Sequence, residues 1–123
     1  AAIRSSARVA ADVPLRIVEA CREVVVASEA LAGRSNLNAA SDLAVASRLA
    51  ESAAHGAAEN VIVNLPSLGD EVAADELRGR VATLLAEIEQ LAESTRAHVE
   101  RGELRDPEPA ADPEPAAEAE PGA

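Results

Sequence analysis

The sequence predicts an all-α protein, a multihelical bundle of long helices. Three observations carry that expectation. Apolar residues recur at spacings of three and four over long stretches, the period of a helix face. Of 123 residues, 30 are Ala, and there is no Phe, Trp, Tyr or Met. A core of this kind is built by helices in close approach, since no large aromatic side chain is present to fill volume. Finally, the C-terminal part carries a heptad-like apolar seam. A chain of this length buries only about 60–70% of its unfolded surface, so modest stability alone and support from a partner chain are expected.

The first element is predicted at 1–12 and the second at 14–33. Pro14 divides them, either opening a new helix in its first turn or kinking a continuous one. Beyond it, Ile17, Ala20, Cys21, Val24, Ala27 and Leu31 follow helical spacing and form the expected apolar stripe, opposed by Arg16, Glu19, Glu23 and Glu29. The run Val24, Val25 and Val26 favours strand but lies inside the helical period. Gly33 is the expected stop.

A polar connector follows, and the third helix is predicted at 38–64 with Asn38 or Ser41 as its cap. Its apolar content is almost all small: Ala39, Ala40, Ala44, Ala46, Ala50, Ala53, Ala54, Ala57 and Ala58, with Gly56. Leu65 and Pro66 end it. The fourth helix is predicted at 70–101, with an acidic start that suits the helix dipole. Its seam is Leu77, Val81, Leu84, Ile88, Leu91, Thr95 and His98. Glu76 with Arg80 and Arg96 with Glu100 are favourable i,i+4 pairs.

Residues 1–105 therefore form one helical unit, and 106–123 a tail. The tail holds five prolines, six acids and no base, and repeats Asp-Pro-Glu-Pro-Ala-Ala from Asp106 and again from Asp112. Such a composition has nothing to bury, so a disordered, extended acidic segment is expected. The absence of Met, with a helical pattern from residue 1, suggests a processed chain or a fragment.

The net charge is −11, and all 11 basic residues are Arg. This chain lacks both the basic footprint for phosphate backbones and the aromatics for base stacking. No nucleic-acid partner is expected, and no anionic membrane surface by the same sign argument. No apolar run reaches the roughly 20 residues of a membrane span. Cys21 is a lone cysteine among apolar neighbours, which fits a buried side chain and a reducing, cytoplasmic compartment. With two His and one Cys, no metal motif is present. His98 continues the seam, and His55 sits on a polar stripe with solvent exposure as its default.

The candidate chemistry clusters around the third helix. At 100° per residue, Asp42 and Asn60 share one face, with Ala46, Leu49, Ala53 and Gly56 between them and Asn64 one turn further on. A stripe polar at its ends and small in its middle is not an ordinary solvent face. The 18 residues between Asp42 and Asn60 span about 27 Å. They therefore serve different sites, or two antiparallel copies bring one end of each together. Two readings stay open: a ligand site, or caps and end closures made by Asn38, Ser41, Asp42, Asn60 and Asn64.

Three motifs resemble a known family. Ala-Asp-Val-Pro-Leu at 11–15, Asn-Leu-Asn-Ala-Ala-Ser-Asp-Leu-Ala-Val at 36–45 and Gly-Ala-Ala-Glu-Asn-Val-Ile-Val-Asn-Leu at 56–65 stand in the order and spacing of formiminotransferase-cyclodeaminases. The likeness is to the cyclodeaminase/methenyltetrahydrofolate cyclohydrolase domain and covers roughly 1–100. It implies an all-helical homodimer that acts on a tetrahydrofolate derivative with no metal or organic cofactor. Cyclodeaminases convert 5-formiminotetrahydrofolate to 5,10-methenyltetrahydrofolate with release of ammonia; relatives hydrolyse the methenyl compound to 10-formyltetrahydrofolate. On this likeness Asp42 is the candidate for proton transfer. Asn36, Asn38, Ser41, Asn60 and Asn64 are the candidates for binding the folate. The family's Gly-rich motif has no counterpart here, so the chain resembles the C-terminal part of the domain. A non-catalytic helical dimerisation or interaction module is the alternative, resting on the heptad seam and the Ala-rich face.

Overall fold

The computed structural model describes residues 2–109 and is all-helical. Three long helices follow in order: α1 (Ala2–Leu31), α2 (Ala40–Asn64) and α3 (Glu71–Arg101). Short 3-10 helices at Leu37–Ala39 and Leu65–Leu68 lead into and out of α2. Cross-helix pairs fix the directions. Glu19 meets Arg80 and Arg22 meets Glu87, so α1 and α3 run parallel. Glu51 meets Arg96 and His55 meets Glu89, so α2 and α3 run antiparallel. Residues 103–109 carry no regular secondary structure, and the rest of the expected acidic tail, 110–123, lies outside the described residues.

Where two helices were expected before Gly33, one continuous helix contains Pro14. A proline inside a helix cannot donate to the carbonyl four residues earlier. Here that carbonyl, Ala10 O, accepts from Asn64 Nδ2 at 3.3 Å. The end of α2 thus supplies the donor that Pro14 lacks, and Pro14 itself is buried against the bundle. Asn64→Ala is expected to cost about 1 kcal/mol in urea melts. In a Pro14→Ala background, residue 14 can donate to Ala10 and the cost should shrink. Equal costs in both backgrounds would show that the two residues are uncoupled.

The core face of α1 differs from the expected stripe. Ala7, Ala11, Val18, Cys21, Val25, Ser28 and Ala32 are buried, whereas Ile17, Val24 and Leu31 are 44–48% exposed. Of the predicted stripe only Cys21 enters the core, where burial raises its thiol pKa. Helix α1 is therefore apolar on two sides, and only one of them is used inside the bundle.

Helix α2 faces its neighbours with Ala44, Ser47, Ala50, Ala54, Ala57, Ala58 and Val61. These short side chains let the helix backbones approach closely. On α3, the expected seam is the packed face: Val81, Leu84, Ile88 and Thr95 are buried. Leu77, Leu91 and His98 are half-buried beside them. The three buried hydroxyls are satisfied within their own helices. Ser28 Oγ donates to Val24 O, Ser47 Oγ to Ala44 O and Thr95 Oγ1 to Leu91 O, each at 2.8 Å. These three buried positions, one on each helix, tolerate hydroxyls because each donor is satisfied.

The helix ends differ from each other. Gly33 follows α1 at φ 76 and Gly102 follows α3 at φ 64, the left-handed stop that glycine adopts without strain. Asp70 caps α3, its carboxylate accepting from Ala73 N at 3.1 Å. Helix α2 has Ala39 at its cap position and no capping side chain. The caps expected of Asn38 and Ser41 are not made. Asn36 serves instead, its Oδ1 accepting from Asn38 N at 3.0 Å and closing the 3-10 turn.

The i,i+4 ion pairs expected on α3 are replaced by pairs between helices: Arg80 reaches Glu19 at 3.2 Å and Arg96 reaches Glu51 at 2.7 Å. Arg22 grips Glu87 through two hydrogen bonds of 2.7 and 2.6 Å. Those bonds hold the Glu87 carboxyl below its ordinary range and raise the Arg22 guanidinium. A carboxylate with a lowered folded pKa contributes stability above its unfolded value, about 4.3, and loses it as the pH falls through the folded value. Wild type should therefore lose more stability on acidification below that range than Glu87→Gln, as read from urea midpoints. Parallel losses would remove the pair from the acid response.

Candidate functional site

The stripe of α2 that holds Asp42, Ala46, Leu49, Ala53, Gly56 and Asn60 faces away from α3. Asp42, Leu49, Ala53, Gly56 and Asn60 are exposed. Beside it lies the second apolar side of α1. Val9, Val13 and Ile17 are 59, 55 and 47% exposed, and Leu49 of α2 is 66% exposed. Two grooves run along this α1–α2 face. One, of about 710 Å³, is walled by Val13, Ile17, Ala20, Val24, Leu49 and Ala53, with Arg16 at its side. The other, of about 450 Å³, is walled by Ser6, Val9, Val13, Ile17, Asn60 and Asn64. They share Val13 and Ile17, so they form one trough, apolar along its length and amide-lined at one end.

The predicted residues divide between the two ends. Asn60 and Asn64 stand together at the end nearest the start of α1. Asn60 Nδ2 donates to Gly56 O at 3.2 Å, and Asn64 Nδ2 to Asn60 O at 2.7 Å as well as to Ala10 O. Both amides thereby close the end of the helix while standing at the trough wall. Asn36, Asn38, Ser41 and Asp42 gather at the opposite end, where α2 begins, and all four are exposed. Among the described residues, the side chains of Asn38, Ser41 and Asp42 make no hydrogen bond, and Asn36 is engaged in its turn. Because α2 is one unbroken helix, the roughly 27 Å between Asp42 and Asn60 is rigid. A single copy does not bring the two groups to one small ligand.

The α1 side of this trough is largely the stripe that the sequence assigned to the core, Ile17, Ala20 and Val24, turned outward instead. Val9, Val13, Ile17, Val24 and Leu31 repeat at helical spacing alongside a second apolar series. A further groove, about 660 Å³, lies between the start of α1 and that of α3 and includes Arg8, Arg80, Asp70 and Glu76. Its charges offset each other, and Arg80 is already engaged by Glu19. Among the described residues, no cluster of three or more His, Cys, Asp or Glu is placed to hold a metal ion, and no helix is long and apolar enough to cross a membrane.

A family profile, formiminotransferase-cyclodeaminase, matches residues 1–83. The chain belongs to the formiminotransferase-cyclodeaminase family. The matched part holds α1, α2 and the first turns of α3, hence the whole trough and every predicted site residue. A methenyltetrahydrofolate cyclohydrolase of Methylorubrum extorquens is 40% identical over 87 residues, covering 71% of this chain and 42% of that protein. Formimidoyltransferase-cyclodeaminases of Rattus norvegicus and Mus musculus are 36% and 35% identical over 86 residues, covering 70% of this chain and 16% of each relative. The aligned segment thus spans less than half the length of these relatives. No solved structure matches. The described residues form a three-helix unit with an open apolar trough between α1 and α2, bordered at one end by Asn60 and Asn64.

Proposed function

We propose that this chain forms part of an enzyme of folate one-carbon metabolism that acts at the N5–N10 bridge of tetrahydrofolate, as a 5-formiminotetrahydrofolate cyclodeaminase or a methenyltetrahydrofolate cyclohydrolase. One observation carries the reading. The α2 stripe borders the open trough from Ala46 to Asn64, with Asp42 one turn beyond it, inside the segment that matches the family. The apolar wall of Val13, Ile17 and Leu49 suits an uncharged ring system. Asn60 and Asn64 present amides to its polar edge, and Asp42 moves the proton at N10, with Ser41, Asn36 and Asn38 beside it. With no aromatic residue in the chain, ring contact falls to aliphatic side chains and amide planes. The reading calls for the folate alone, without metal or organic cofactor, in a cytoplasmic protein whose Cys21 stays reduced.

The divided site calls for two copies. In an antiparallel homodimer formed through the trough, Asp42 of one copy stands near Asn60 and Asn64 of the other. The alternative of an interaction module loses its first warrant, because the α3 seam is consumed inside the bundle.

Supplying methenyl- and formiminotetrahydrofolate to the chain and to its full reading frame tests the proposal. Ammonia release identifies the deaminase, and loss of the methenyl absorbance without ammonia the cyclohydrolase. In whichever protein is active, Asp42→Asn should lower kcat by about 10²-fold or more. Unchanged turnover would remove Asp42 from the chemistry. A full reading frame that neither binds nor converts either folate would overturn the proposal.

A further inference from the structure

Residues 103–106 lie beyond α3 and beyond the family match, yet they are bonded to the end of α1. Gly102 turns the chain in the left-handed conformation, and the Arg105 N–H donates to Gly33 O at 2.8 Å. Arg105 Nη1 donates to Glu29 O at 2.9 Å, to Glu29 Oε1 at 2.8 Å and to Ala32 O at 3.3 Å. In the reverse direction, Arg34 Nε donates to Asp106 O at 2.8 Å. A guanidinium that satisfies the last carbonyls of a helix also complements its dipole.

The clasp is partly enclosed. The side chains of Arg105 and Glu29 are 22% and 19% exposed. Ser94 Oγ adds a third-helix contact, donating to Glu29 Oε1 at 3.3 Å. A Cβ on Gly33 would lie 2.6 Å from Glu103 O, so glycine there permits the close crossing as well as the positive φ.

What the clasp holds is the connection from α1 to α2. Residues 32–34 are pinned by three hydrogen bonds to 105 and 106, and Asn36 and the 3-10 turn follow directly. The start of α2 has no capping side chain of its own. Packing against α1 and α3 sets the axis of α2 from Ala44 onward, so the Asn36 turn and the pinned connection before it bear on its first turn, where Ser41 and Asp42 stand.

We infer that Arg105 is a positioning residue, which holds the Gly33–Asp42 end of the site in place through the α1 C-terminus. This rests on the reading of Asp42 as a site residue. The clasp itself does not, and the test keeps the two apart. Hydrogen exchange and folate turnover are measured on the full protein as wild type, Arg105→Ala and Arg105→Lys. In Arg105→Ala, amides of residues 33–42 should exchange about tenfold faster, with 81–92 unchanged. The value of kcat should fall with little change in KM. Arg105→Lys, which keeps a cation beside Glu29, should recover part of both. Unaltered exchange at 33–42, or an equal rise across α3, would overturn the clasp. Local loosening with unchanged kcat would overturn the positioning role. Local loosening in Arg105→Ala, where the wild type converts no folate, would overturn the functional reading and leave the clasp standing.

Discussion

Ile88→Ala is expected to lower the unfolding free energy by about 2–5 kcal/mol. Ile88 is fully buried at the middle of α3, among the few large side chains of the core. Its neighbours there are the Ala-rich face of α2 and the Val18 and Val25 side of α1. Alanines on rigid helices cannot extend into a vacated volume, so the cavity stays largely open. Small domains hold only about 5–15 kcal/mol in total, so this variant should show a much lower urea midpoint or fail to fold. Ile88→Val, which removes one methyl group, should cost about 0.5–1.5 kcal/mol. Similar midpoints for Ile88→Ala and wild type would mean that α3 is not held by this seam.

Leu49→Glu is expected to leave the monomer fold intact and to abolish dimerisation and turnover together. Leu49 is 66% exposed in the single chain, so its removal takes little from the bundle, within about 0.5 kcal/mol. In the proposed dimer it sits at the middle of the trough, where a carboxylate from each copy would be buried without a partner. An uncompensated buried charge costs several kcal/mol, and the chain already carries −11. Sedimentation should show the shift from dimer to monomer, with an unchanged helical circular dichroism spectrum. A Leu49→Glu protein that still sediments as a dimer would move the interface elsewhere. A monomeric wild type would remove the second copy from the site.

Both expectations depend on which apolar faces are inside, and that was only partly legible. The α3 seam was read correctly, Thr95 included, because one helix with one apolar stripe offers no choice. On α1 the choice was real. Ala7, Ala11, Val18, Cys21, Val25 and Ala32 follow one helical series, and Val9, Val13, Ile17, Val24 and Leu31 follow another. Both satisfy the same period, so periodicity alone cannot rank them. The site residues show the same division. Their shared face on α2 followed from rotation per residue. That α1 adds the wall of the trough required knowing which side α3 covers.

The sequence by itself determined the all-helical class, the three motifs of the family, the stops at Gly33 and after α2, and the common face of Asp42 and Asn60. The class, the stops and the common face follow from the regular geometry of a helix, and the motifs from residue identity, all of which spacing along the chain encodes. Only the tertiary structure decided the rest. It joined the first two predicted helices by giving Ala10 the Asn64 donor in place of residue 14. It exchanged the local ion pairs of α3 for partners on α1 and α2. It laid Arg105 across the end of α1, more than 70 residues away in the chain. These contacts link groups far apart in sequence, and their partners are selected by how three helices dock, a choice that no local pattern of residues contains.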